Sequence, residues 1–164
     1  MRSSTTLDPE YQAALLQSFY QTLPGMEAAM CIQCGTCSGS CPLGREMDMG
    51  PRKILAMLMD GYLQDVLTSK TIWLCVSCNA CLTRCPRKIP VPDIMYHLRV
   101  LAAEHGFARR GYKMPDLYRA FVHQAERKGR ISESRLVMRY GFSHPGDIPG
   151  RLGLALKLIK RGRI

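Results

Sequence analysis

Apolar residues recur every three or four positions along most of this chain, between stops marked by proline and glycine. That spacing is the mark of helices with one buried face. Asp8-Pro9 reads as a helix start, with Asp expected to cap free amides and Pro suited to the first turn. Tyr11, Leu15, Leu16 and Phe19 follow at helical spacing, and Pro24-Gly25 is expected to end that helix. Gly50-Pro51 opens another, carrying Ile54, Leu55, Leu58 and Met59, with Gly61 as its stop. A short helical piece covers Leu63 to Leu67, and a short strand could sit at Ile72–Leu74. Pro92-Asp93 starts a helix with Ile94, Leu98, Leu101 and Ala102 on one face and Gly106 at its end. Pro115-Asp116 starts the next, with Leu117, Phe121 and Ala125 together and Gly129 closing it. One or two turns are expected from Glu133 to Tyr140, then the loop GFSHPGDIPG and a basic amphipathic segment, Arg151 to Ile164. The pattern predicts a mainly α protein.

Composition agrees with that reading. Hydrophobic residues make up 46% of the 164 positions but aromatics only 7%, with one Trp and ten Met. Leu, Met and Ala favour helix over sheet. The start, MRSSTTLDPEYQ, has no apolar stretch of signal-peptide type. No run of about 18 apolar residues predicts a membrane span. A cytoplasmic protein is expected, with thiols kept reduced.

Charge divides the chain. Residues 1–98 hold eight Lys/Arg and eight Asp/Glu, whereas residues 99–164 hold fifteen Lys/Arg and five Asp/Glu. The net +10 therefore belongs to the C-terminal part, and all eight cysteines to the neutral part. Two regions are expected: a cysteine-bearing domain over 1–106 and a basic helical extension over 107–164.

The cysteines form an internal repeat. CIQCGTCSGSCP at 31–42 matches CVSCNACLTRCP at 75–86, offset by 44 residues, both reading C-x2-C-x2-C-x3-C-P. This is the ligand run of bacterial [4Fe-4S] ferredoxins, in which the fourth cysteine serves the other cluster. The three closely spaced cysteines wrap a loop around three corners of one cubane, and the remaining corner faces away from that loop. The pattern thus assigns Cys31, Cys34, Cys37 and Cys85 to one [4Fe-4S] cluster. Cys75, Cys78, Cys81 and Cys41 take a second. Gly35 is expected to let the backbone approach its cluster, and Pro42 and Pro86 to turn the chain away. Disulfides suit neither the crowding nor the compartment, and structural zinc uses pairs rather than triplets followed by Cys-Pro.

In a ferredoxin the motifs sit in a small β/α fold. Here 33 residues separate Cys41 from Cys75 and they read as helical. The chain resembles the α-helical ferredoxin fold, and within it the C subunit of heterodisulfide reductase and its relatives. The residues that carry the resemblance are the Asp-Pro helix, both cysteine runs, Pro-Arg after Gly50, IPVPDIMYHLR, KGRISE at 128–133 and the basic end LALKLIKRGRI. The resemblance implies an electron relay between a flavin-containing A subunit and a catalytic B subunit that performs disulfide or sulfur chemistry.

Nothing else in the chain builds a site. His97, His105, His123 and His144 show no ligand spacing, no acid/base pair stands out, and no phosphate-binding glycine loop exists. Met26, Met30, Met47, Met49, Met57 and Met59 are read as core filling, and Trp73 as a packing anchor. The basic end, 151–164, is expected to dock on a partner subunit, with a peripheral membrane contact as the second reading. An alternative function follows from that second reading: a membrane-associated or regulatory iron–sulfur protein. Nucleic-acid binding is discounted, because no aromatic platform accompanies the charge.

Overall fold

The computed structural model describes residues 8–108 and 113–147, with isolated positions at 153, 157, 160 and 161. The chain divides into two compact units, residues 1–108 and 109–164. Among the described residues the structure is mainly α, with no strand, as the pattern predicts.

Among its described residues the first unit contains eight helices: α1 (Pro9–Tyr20), α2 (Leu23–Ala29), α3 (Thr36–Gly39), α4 (Pro51–Met59), α5 (Leu63–Thr68), α6 (Thr71–Leu74), α7 (Ala80–Arg84) and α8 (Val91–Glu104). Helices α2, α5, α6 and α7 all pack on α8, and α4 bridges α2, α3 and α5. Phe19, Ile54, Leu55, Leu58, Leu67, Ile94 and Leu98 are buried in the centre of this unit. Gly61 and Gly106 take φ of +89° and +76° just beyond α4 and α8, the left-handed conformation that stops a helix. Trp73 is buried, as expected of an anchor.

Several details differ from the sequence reading. Asp8 occupies the N-cap of α1 but makes no side-chain cap bond. Pro24-Gly25 does not end that helix; it lies in the first turn of α2, where Thr22 accepts a bond from the Gly25 amide. A Cβ on Gly25 would stand 2.0 Å from the Phe19 carbonyl oxygen, so the glycine is there for close packing between successive helices. Ile72–Leu74 is helical rather than a strand. Met59 points outward at 45% exposure, because it lies off the Ile54–Leu55–Leu58 face.

The second unit pairs α9 (Lys113–Lys128) with α10 (Glu133–Ser143), followed by a 3-10 turn at Pro145–Asp147. Helix α10 is longer than expected and takes in the start of the expected loop. The buried face of α9 is Pro115, Ala120 and Gln124, not the expected Leu117–Phe121–Ala125 face; Phe121 is 46% exposed. The KGRISE turn has a clear local logic. Gly129 closes α9 at φ +63°, and the Ser132 amide donates to buried Gln124 Oε1 at 2.7 Å. Asp116 pairs with Arg119 and with His144 Nε2, the latter at 3.0 Å. The basic segment expected to dock, 151–164, lies largely outside the described residues.

Candidate iron–sulfur site

The two cysteine loops repeat in backbone as well as in sequence. Gln33 and Gly35 have φ of 58° and 82°; Ser77 and Asn79, each 44 residues on, have 51° and 60°. Left-handed residues alternating with ordinary ones turn successive amides to one side and form a concavity suited to an anion. Gly35 then starts α3, which carries Cys37, and Asn79 starts α7, which carries Cys81. Glycine adopts this conformation freely and Asn tolerates it better than most residues. At Gly35 the torsion is the visible reason for glycine, since an added Cβ would meet only Arg52 Cδ at 3.6 Å and Nη1 at 3.8 Å.

Packing of α3 on α7 crosses the two motifs. One recess is lined by Cys31, Cys34, Cys37 and Cys85. A second is lined by Cys41, Cys75, Cys78 and Cys81. Each recess gathers three cysteines of one motif and the last of the other. No disulfide joins any of the eight. Among the described residues, no three His, Cys, Asp or Glu side chains close on a single metal ion.

Contacts to the sulfurs are uneven. The Gln33 amide and Gln33 Nε2 each lie 3.4 Å from Cys31 Sγ. The Ile89 amide donates to Cys85 Sγ at 3.4 Å, and the Thr36 hydroxyl is 3.4 Å from Cys34 Sγ. That hydroxyl lowers the thiol pKa of exposed Cys34. Burial raises that of Cys37, and pushes Cys81 up to about 11, because a lone thiolate is poorly solvated there.

Asp48 is a site residue that the sequence does not advertise, since an isolated Asp carries no spacing signal. Its carboxylate accepts from Ser69 Oγ at 2.8 Å, Thr71 Oγ1 at 2.7 Å, and the Lys70 and Thr71 amides at 3.0 and 3.1 Å. Burial opposes its ionisation, but the bonds from Lys70, Thr71 and Ser69 outweigh that and hold the carboxyl below its ordinary pKa. Asp48 thereby ties the segment after Cys41 to the segment leading into Cys75. A second tie joins Ser38 Oγ, in the first loop, to the Arg52 amide of α4 at 3.0 Å.

Histidines of the first unit have aromatic neighbours among the described residues. His105 bonds Tyr11 Oη at 2.9 Å and His97 meets the edge of Tyr96. The methionine expectation is corrected: Met26, Met30 and Met59 are exposed, while Met47, Met49 and Met57 are half-buried. Among the described methionines Met95 is fully buried, on the inner face of α8. Helix periodicity does not distinguish an inward Met from an outward one on the short α2.

Known proteins match this region closely. Residues 27–89 match the family model of the 4Fe-4S dicluster domain, a span that takes in all eight cysteines. The iron–sulfur C subunit of the CoB–CoM heterodisulfide reductase of Methanopyrus kandleri is 31% identical over 115 residues, 68% of this chain and 60% of that protein. The C2 iron–sulfur subunit of the same enzyme from Methanocaldococcus jannaschii is 35% identical over 132 residues, 77% of this chain and 61% of that protein. The chain is a homologue of the heterodisulfide reductase C subunit. A further relative, the C2 subunit of the H2/formate:CoB–CoM heterodisulfide,ferredoxin reductase of Methanococcus maripaludis, is 42% identical over 88 residues, 54% of this chain and 47% of that protein. This C-subunit homologue spans about 60% of the length of the first two relatives. Among its described residues, no helix is long and apolar enough to cross a membrane.

Proposed function

We propose that this chain is the two-cluster relay subunit of a heterodisulfide-reductase-like complex. Cys31, Cys34, Cys37 and Cys85 hold one [4Fe-4S] cluster, and Cys75, Cys78, Cys81 and Cys41 hold the other. The observation that carries this reading is the crossed grouping of cysteines around the two recesses. The sulfurs ring a recess rather than a point, which suits a multi-iron cluster better than one tetrahedral ion. When bound, each cluster supplies reversible one-electron transfer. The chain's own residues hold the sulfurs in place, orient amides toward them and exclude water with Leu43, Met47, Ile89 and Val91. Iron compensates the thiolates that burial disfavours at Cys37 and Cys81.

The relatives are named as subunits of heterodisulfide reductases. By that kinship the electrons pass between a flavin-containing A-type subunit and a catalytic B-type subunit. The basic region 107–164 is the docking extension in this reading.

The test is anaerobic reconstitution of the full chain, with iron and labile sulfide counted and EPR recorded. About eight of each per chain are expected, together with a signal from two interacting reduced clusters. Zinc in place of iron, or a single cluster, overturns the reading. Co-purification with a flavoprotein and a cysteine-rich subunit from the native host tests the assembly.

A further inference from the structure

The two recesses differ in what surrounds the sulfurs. The one lined by Cys31, Cys34, Cys37 and Cys85 is also lined by Arg52 and Arg87. Arg52 reaches over the first loop, its Nη1 3.8 Å from where a Gly35 Cβ would stand. Neither guanidinium has an ion-pair partner among the described residues. The hydrogen bonds from Gln33, Thr36 and Ile89 go to sulfurs of this same set. Apart from its cysteines, the other recess is lined only by Pro, Leu, Met and Val. Its sulfurs have the contact of Cys41 Sγ with Met47 Sδ at 3.9 Å and a hydrogen bond from the Leu82 amide to Cys81, which the Ser38 amide matches at Cys37 in the first set. On that side Arg99 Nη1 donates to the Cys75 carbonyl at 3.4 Å, and the guanidinium lies 5.9 Å from the Tyr96 ring centre.

One-electron reduction adds one negative charge to a cluster and no proton. Nearby cations and hydrogen bonds to sulfur favour the more negative state and raise the potential, whereas an apolar lining disfavours it. We infer that Arg52 and Arg87, with the Gln33, Thr36 and Ile89 donors, make the Cys31/34/37/85 cluster the higher-potential member of the pair. An electron delivered to this subunit by its one-electron donor then comes to rest there, and the Cys75/78/81/41 cluster is the lower-potential neighbour it passes through or leaves to. This rests on the two-cluster reading above and adds an order to it.

The test is an anaerobic redox titration of the reconstituted full chain, with mediators as electron donors, EPR as readout, and iron and sulfide counted in every sample. Two one-electron waves are expected. Their separation alone does not decide the matter, because mutual repulsion also splits them, but their response to the arginines does. Replacing both, Arg52→Gln with Arg87→Gln, is expected to shift the higher-potential wave downward by about tenfold in equilibrium constant, ~59 mV for one electron. The lower wave should move less. The single variants should each give part of that shift, and Arg52→Lys with Arg87→Lys should retain the native wave because the charge is kept. Arg99→Gln should move the lower wave instead. A larger shift of the lower wave in the Arg52/Arg87 variants, or no shift in either, overturns the inference while leaving the two-cluster reading intact. Iron far from about eight per native chain overturns that reading first.

Discussion

The two cysteine loops share sequence spacing and backbone torsions, yet they sit in unlike surroundings. The recess of Cys31, Cys34, Cys37 and Cys85 is also lined by Arg52 and Arg87, and Gln33 and Ile89 donate to its sulfurs. The recess of Cys41, Cys75, Cys78 and Cys81 is lined, apart from its cysteines, by Pro, Leu, Met and Val, while Cys34 and Cys78 are alike exposed. On the two-cluster reading proposed above, local sequence sets which sulfurs face each recess, and the packed neighbours set how readily a cluster held there would accept charge. A repeat in sequence need not be a repeat in function.

The comparison can be broken most severely at the fourth ligand. Cys85→Ser is expected to remove or damage the cluster of Cys31, Cys34 and Cys37, and to spare the cluster built on the motif to which Cys85 belongs. Iron analysis with EPR checks this, and damage confined to the Cys75/78/81 cluster would contradict the crossing. Next in size is Gly25→Ala. Its Cβ would meet Phe19 backbone at 2.0 Å, so a loss of about 3 kcal/mol or more is expected. Helix α2 leads directly into Cys31, so iron retention by the first loop should suffer before that by the second.

Asp48→Asn unties the two loops rather than favouring either. Losing charge-assisted acceptance from Ser69, Lys70 and Thr71 should cost about 1–3 kcal/mol in denaturant unfolding. The same carboxylate gives an acid sensitivity of definite sign. Its folded pKa is lowered, so its stabilisation is present above the unfolded carboxyl value, about 3.9, and is lost as pH falls through the folded value. The Asp48→Asn protein should lose less stability than the native chain across that acid window. The smallest effects sharpen the torsional likeness. Gly35→Ala puts a Cβ at φ +82° and should cost about 1 kcal/mol. Asn79→Gly, at φ +60°, should stay within about 0.5 kcal/mol of the native chain.

Much of the fold is legible because it follows from local spacing. The stops at Gly61, Gly106 and Gly129 are read from sequence, and each has positive φ. The boundaries that go astray are those where a residue has two local uses. Pro24-Gly25 fits a helix end as well as a helix start, and only contact with Phe19 selects the second. Phe121 fits the inner face of α9 by period, yet Ala120 and Gln124 face inward, and there Gln124 Oε1 accepts from the Ser132 amide.

By itself, then, the sequence determines a helical chain with two matched cysteine loops, since spacing of 3.6 and the C-x2-C-x2-C-x3-C-P run act over a few residues. Tertiary structure alone decides that Asp48 clasps the two halves and that Arg52 and Arg87 share the recess of Cys31. These residues meet their partners across sequence gaps that leave no periodic trace, and it is burial and charge at close range, not order along the chain, that make the two loops different.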